Sequence, residues 1–257
     1  MNKGVSIFLE LSQREIKTRF LESFSGAAWL ILQPLLLLLI YSFVFVIIFK
    51  ARVPEADTTG FVPYLAIAFW PWISFSESVL RSVSAITENT ELIGKVALPS
   101  EVFPAATVSA TFVMHLAGYL VVLLVLTLTG TAIHWLMLIP ALIVLIMVYI
   151  FALSLGLFLS SLNVFVRDFE HVMPPLMTLW FFGTPILYSI ELIPENLRQY
   201  MHINPFLYFV QTLREMLLFG TWRPGLDDLI ALASIIIFGI LAIRFFRRLS
   251  PRFEDFF

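Results

Sequence analysis

The chain has no cysteine among its 257 residues, which removes disulfides, thiolate metal sites and cysteine nucleophiles. Charge is also scarce: 13% of residues are Asp, Glu, Lys or Arg, where an ordinary soluble domain carries about 25%. From Val102 to Val166 there is none in 65 consecutive residues. No water-soluble fold of this length is expected to contain such a stretch. A helix rises about 1.5 Å per residue, so roughly 20 apolar residues cross the ~30 Å hydrocarbon core of a bilayer. The run could hold three tight crossings or two generous ones. Thr129-Gly130-Thr131, followed by His134, Trp135 and Pro140, reads as a hairpin at a membrane surface and favours two.

What is present is apolar: 60% of the chain, with 26 Phe, 7 Tyr and 6 Trp. Further uncharged runs bring the expected number of spans to six, over 23–49, 58–80, 102–129, 137–162, 171–190 and 226–246. The last relies on Arg244, Arg247 and Arg248 extending their heads into the headgroup layer. A count of four or five would leave an unusually long insertion within the membrane. The fold class expected is therefore all-α and polytopic. Four basic residues precede a first apolar run too long for a signal core, with no small-residue cleavage site after it, which speaks against a cleaved signal peptide. Six crossings put both termini on one side. That side carries Lys3, Arg14, Lys17, Arg19, Arg81, Lys95, Arg167, Arg244, Arg247, Arg248 and Arg252, against Lys50, Arg52, Arg198, Arg214 and Arg223 opposite. The positive-inside bias makes it the cytoplasm.

Outside the spans, residues 1–22 form a polar helix with Val5, Phe8, Leu9, Ser12, Ile16 and Phe20 on one arc, as in an interfacial helix on the cytoplasmic leaflet. A plain anchor for the first span is the blander reading. Residues 81–101 place Leu92-Ile93 and Val96-Ala97-Leu98 among charges, which suits a short amphipathic docking helix, and Glu77 can pair with Arg81 four residues on. The second cytoplasmic connection holds Arg167-Asp168, where Asp168 reads most simply as a cap for the following helix. In 191–225, Ile193-Pro194 and Asn204-Pro205 mark two helix starts, and Gly220 stands where the second should stop. Both helices are too brief to cross, so they suggest a re-entrant or surface-lying pair next to a protein-lined or watery cavity.

Catalytic signatures are missing. Gly94-Lys95-Val96 lacks the upstream Gly and the hydroxyl of a nucleotide-binding loop, and there is no zinc-binding His-Glu-x-x-His, no Gly-x-Ser-x-Gly elbow and no carboxylate pair inside a span. His115 and His134 stand alone and read as hydrogen-bonded packing. No span has an ionisable group at its centre of the kind a proton-coupled carrier uses. The chain is thus expected not to be an enzyme, and its energy to arrive from a partner. Trp29, Tyr41, Trp70, Trp72, Trp135 and Trp180 fit interfacial belts; an aromatic conduit for sugars is the alternative.

Taken in order, Arg19 and Ser23 before Gly26-Ala27-Ala28-Trp29 and Gln33-Pro34, then Glu88-Asn89 through Leu92-Ile93-Gly94-Lys95 to Leu98-Pro99-Ser100-Glu101, resemble the membrane subunit of ABC-2 type exporters. Asn163-Val164-Phe165-Val166-Arg167-Asp168, Thr184-Pro185-Ile186-Leu187-Tyr188, Ile203-Asn204-Pro205 and Arg214 to Gly220 continue the likeness, most closely to exporters of O-antigen, capsule or teichoic-acid chains. Ala68-Phe69 before Trp70-Pro71-Trp72 departs from it, since a glycine-containing stretch is expected there. The resemblance implies a homodimer in the bacterial inner membrane with two copies of a cytoplasmic ATPase that holds ATP and Mg. It implies a polyprenyl-diphosphate-linked glycan as cargo and no nucleic-acid partner. It further implies ATPase coupling through Glu88, Asn89, Leu92, Ile93, Lys95 and Pro99, with Arg167 and Asp168 as a weaker contact. Arg14, Lys17 and Arg19 would meet the diphosphate, Trp29, Tyr41 and Tyr188 would line the channel, and Pro194, Asn204, Pro205 and Gly220 would shape an external gate. An ABC-2 exporter of a small drug or lipid, or a membrane enzyme acting on lipid-linked sugars, are the rival readings.

Overall fold

The computed structural model describes residues 3–21, 26–48, 60–93 and 99–256, and among these every regular element is helical. Helix α3 (Phe61–Val83) is the central pillar, and nearly all of it is buried. A helix apolar on every side can only be satisfied inside a bundle or a bilayer. Against it pack α5 (Val102–Leu128) and α6 (Leu138–Asn163), with α2 (Gly26–Ser42) and α7 (Phe169–Phe182) at its flanks. Helix α10 (Leu226–Leu249) lies along α6 and leaves Leu229, Ile236, Ile237 and Leu241 exposed. Among the described residues three stretches, Val102–Leu128, Trp135–Asn163 and Leu226–Phe253, are helices long and apolar enough to cross a membrane.

Helix α5 ends in a tight reversal. Gly130 takes φ +95, and the amides of Thr129, Gly130 and Thr131 return to the carbonyls of Val125, Thr127 and Leu126. A left-handed glycine lets the last turn satisfy its own carbonyls, which is why the chain can turn within three residues and start α6 after a short 3-10 turn.

Close approach governs the contact of α3 with α5. A Cβ on Gly118 would stand 2.7 Å from Cζ2 of Trp70. Trp70 donates from Nε1 to the carbonyl of His115 (2.9 Å), and Tyr119 donates from its hydroxyl to the carbonyl of Ile67 (3.1 Å). Both rings thus bury their apolar bodies and still find a polar partner. Trp70 and Trp72 are therefore core residues, and the belt expected for them does not hold. Trp72, Phe75, Phe151, Trp180 and Phe206 form one aromatic cluster with centroid separations of 4.8–6.1 Å.

Three further expectations need correction. The first helix, α1 (Lys3–Leu21), packs along α5, and its half-buried stripe is Ile7, Phe8, Leu11, Ser12, Glu15 and Ile16, while Leu9 is exposed. The helix partner selects the face here, and it draws Glu15 inward to Arg81 at 3.9 Å. Arg81 meets Glu15 rather than Glu77. Glu77 reaches Nε2 of His115 at 2.7 Å, so His115, at the middle of α5, is no isolated ring, and an ionisable pair does stand within the bundle. Finally, α7 ends at Phe182, eight residues short of the span expected to run to 190; its 14 residues rise about 21 Å. Gly183 and Pro185 turn the chain there, and Thr184, Ile186 and Leu187 stay buried in the turn.

Candidate functional site

The connection between α3 and α5, the first of the two expected to be cytoplasmic, begins at Ser84, where α3 stops. Ser84 donates to a carboxylate oxygen of Glu88 (2.7 Å) and Asn89 donates from Nδ2 to the carbonyl of Ala85 (2.9 Å), which folds a 3-10 turn over Thr87–Asn89. Glu88 and Asn89 therefore hold the turn together, with Glu88 still exposed and Asn89 half-buried. Helix α4 (Thr90–Ile93) is a single turn with Glu91 exposed and Leu92 and Ile93 half-buried. Lys95 lies outside the described residues. Pro99 is exposed and opens the turn into α5, where Glu101 pairs with Arg247 at 3.0 Å.

In the second connection Arg167 and Asp168 are both exposed. Asp168 occupies the cap position of α7, yet its side chain caps nothing, because its backbone is already helical and points the carboxylate outward. The capping role expected for it fails. Asn163 just before is fully buried, with neither amide atom hydrogen-bonded among the described residues.

Arg14 and Lys17 are exposed on the outer face of α1, on the opposite side from Glu15, and the side chain of Arg19 lies outside the described residues. Trp29 is exposed. Tyr41 instead packs edge-on against Phe69 at 5.6 Å and close to Phe181, and Tyr188 donates its hydroxyl to the carbonyl of Phe182.

Residues 191–225 are tied together by side-chain hydrogen bonds. Pro194 precedes α8 (Glu195–Met201), an exposed knob whose Arg198 donates from Nε to the carbonyl of Ile193. Helix α9 (Pro205–Arg214) then turns back inward between α3 and α6 and continues as a π-helical turn, Glu215–Phe219. Asn204 caps it, its Oδ1 accepting from the amide of Phe206 (3.0 Å) and from Nε1 of Trp180 (2.8 Å), while its Nδ2 donates to Thr184 (2.8 Å). One side chain thus ties the start of α9 to the end of α7, and Pro205 suits the first helical position because it has no amide hydrogen to leave unpaired there.

The other end of α9 is held by an arginine that sequence reasoning counted among the external basic residues. Arg214 is 4% exposed. Its guanidinium donates to the carbonyls of Tyr64 (3.1 Å), Pro185 (2.9 Å) and Ile186 (2.7 Å), and it lies 3.5 Å from the centre of the Tyr64 ring. The signal was a single Arg within the apolar run Phe206–Phe219. At the close of the π turn Gly220 takes φ +63, and a Cβ there would stand 2.7 Å from Nδ1 of His134. His134 donates its backbone amide to the carbonyl of Leu217, so the α5–α6 reversal is pinned to the π-helical turn that follows α9.

Between α9 and α10 a cavity of about 490 Å³ is lined by His202, Tyr208, Gln211, Asp227 and Ser234 among others. Tyr208 donates to Asp228 at 2.6 Å, and burial together with that bond pushes its phenol above the ordinary range. Burial, and secondarily Asp228, also raises the carboxyl of Glu215.

A family model described as ABC-2 type transporter matches residues 7–218. The O-antigen export system permease protein RfbA of Myxococcus xanthus is 32% identical, over 90% of this chain and 87% of its own length. A protein of the same name from Klebsiella pneumoniae is 27% identical over 97% and 94%. The polysialic acid transport protein KpsM of Escherichia coli is 26% identical over 83% and 82%.

Proposed function

The chain belongs to the ABC-2 type transporter family, and from that premise we propose that it is the channel-forming membrane subunit of an ATP-driven exporter that moves a lipid-linked polysaccharide across the bacterial inner membrane. The observation that carries this reading is similarity along nearly the whole chain to permeases named for two different polysaccharides, O-antigen and polysialic acid. The chemistry agrees. ATP and Mg would sit on a separate cytoplasmic ATPase, two copies serving a homodimer of this subunit. Six spans, built from α2 with its π-helical extension to Ile48, α3, α5, α6, α7 and α10, would enclose the path with both termini in the cytoplasm. Leu92, Ile93 and Lys95 of the first connection and Arg167 and Asp168 of the second would meet the ATPase. Arg14 and Lys17 would receive the diphosphate of the carrier lipid by charge-assisted hydrogen bonds. Helices α8 and α9 would form the external gate.

The decisive test is affinity purification of the tagged subunit from native membranes in mild detergent, with mass spectrometry of what accompanies it. A stoichiometric ATPase with a phosphate-binding loop is expected, and a carbohydrate-binding extension on it would favour glycan over a small drug or lipid; an intact dimer without any ATPase would overturn the assignment. Leu92→Asp combined with Lys95→Glu should then strip the ATPase while leaving membrane insertion unchanged, and undiminished co-purification would remove the first connection from the docking surface.

Topology has its own test, made clean by the absence of cysteine. Asn196→Cys on the exposed α8 should react with a membrane-impermeant maleimide in intact spheroplasts, and Arg167→Cys only after permeabilisation. The reverse pattern would invert the proposed orientation.

A further inference from the structure

Residues 219–257 lie beyond the segment that the family model matches, and their last part makes contacts that are not apparent from the residues alone. Pro251 follows the end of α10, and the chain continues as a 3-10 turn, Ser250–Phe256. Such a turn has three residues per revolution, so side chains three apart share a face. Phe253 and Phe256 are three apart, and both rings meet Phe165 of the second cytoplasmic connection, at centroid separations of 6.0 and 4.7 Å. Phe253 also stands edge-on to Phe246 of α10 at 5.5 Å.

These rings belong to a small apolar core separate from the main one. Its buried members are Ile86, Leu157, Val164, Phe246 and Phe253, with Ile93, Phe165 and Leu249 packed against them. Ile86 and Ile93 come from the first cytoplasmic connection, and Val164 and Phe165 from the second. At the exit of the first connection, Glu101 is tied to Arg247 in the last turn of α10. Loops at one end of a bundle ordinarily move independently. Here a seven-residue tail supplies the apolar wedge that joins them.

We propose that Ser250–Phe256 is a clamp that fixes the two cytoplasmic connections in one arrangement, so that they engage the ATPase as a single surface, with Phe253 as its positioning residue. The proposal rests on the reading that these connections dock an ATPase. Its physical basis is pre-organisation: loops already held in the bound arrangement lose less freedom on association. Phe253 itself is 1% exposed, so it acts through the connections it holds.

The test uses the full chain, co-expressed with the ATPase that accompanies it. Phe253→Ala should lower the ATPase retained on the purified subunit on the order of tenfold, and Phe253→Leu, which refills the pocket, should restore most of it. Retention of the ATPase by Phe253→Ala at the level of the parent would overturn the clamp. A parent chain that retains no ATPase would instead overturn the docking reading beneath it, so the two failures are distinct. Should Phe253→Ala not accumulate, Phe256→Ala decides, since it removes a 48% exposed ring that meets Phe165 at 4.7 Å. It should lower the ATPase retained, and Phe256→Leu should restore most of it. Retention by Phe256→Ala at the level of the parent would sink the proposal.

Discussion

Arg214→Ala is expected to be the most damaging single change among the residues that hold α9 in place. It removes three hydrogen bonds from a buried cation and leaves the carbonyls of Pro185 and Ile186 facing a void. Hydrogen bonds to a charged group contribute about 1.5–3 kcal/mol each and are not additive, so a loss of about 3 kcal/mol or more is reasonable. For a chain of this size that corresponds to a fall in melting temperature on the order of 6 to 12 °C. The measurement is thermal unfolding of the detergent-purified protein followed by tryptophan fluorescence. Arg214→Lys should fall between the two, because an ammonium cannot reproduce a planar fork whose Nε, Nη1 and Nη2 each serve a different carbonyl. A melting temperature for Arg214→Ala within about 2 °C of the parent would show that the turn after α7 does not depend on this residue.

The second large effect is expected deep in the bundle. Gly118→Val places a Cβ 2.7 Å from Cζ2 and 3.3 Å from Nε1 of Trp70. Trp70 is fully buried and anchored to the carbonyl of His115, so the ring cannot swing aside. Overpacking of a tight core costs about 1–3 kcal/mol and more where the neighbour is fixed. The valine variant should fail to accumulate in membranes, and Gly118→Ala should accumulate with a lowered melting temperature. Trp70→Phe removes the ring edge that clashes, so combining it with Gly118→Ala should cost less than the sum of the separate changes. If Gly118→Ala melts with the parent, the close approach of α3 and α5 is not as described.

Parts of this structure can be read directly from the residues because the cause is local. Asn204-Pro205 starts α9 and Gly220 stops it by cap geometry that needs no distant partner. Gly130 turns the chain for the same reason. What escapes a sequence reading is whatever depends on which helices meet. Trp70 and Trp72 look like interfacial rings, since in a membrane protein an aromatic is as apolar as the lipid around it and its type does not tell inside from outside. Glu77 finds His115 38 positions away, so the helix-local pairing with Arg81 loses to a contact only the folded bundle supplies. The shortened α7 had a readable cause in Gly183 and Pro185, but the continued apolar pattern to Ile190 masks it, because the turn itself is buried.

The candidate site divides the same way. Leu92, Ile93 and the Arg167-Asp168 pair are recognisable as apolar or charged points on short connections. That Glu88 and Asn89 are consumed in holding their own turn is not recognisable, since it depends on Ser84 and Ala85 curling back within reach. Phe253 and Phe256 look like an ordinary chain end until the 3-10 turn puts them on one face beside Phe165.

The seat of His134 on Gly220 also bears on how sequences of this kind can drift. Any side chain at 220 would have to adopt a left-handed backbone and displace the imidazole, so the glycine can change only if position 134 first becomes smaller. The two sites should therefore covary across related chains despite lying 86 residues apart. Length is constrained with them: because the amide of His134 is spoken for by Leu217, the reversal between α5 and α6 has little room for insertions. The exposed α8, bonded mainly to its own neighbourhood, is where lineages would be free to lengthen the outer surface.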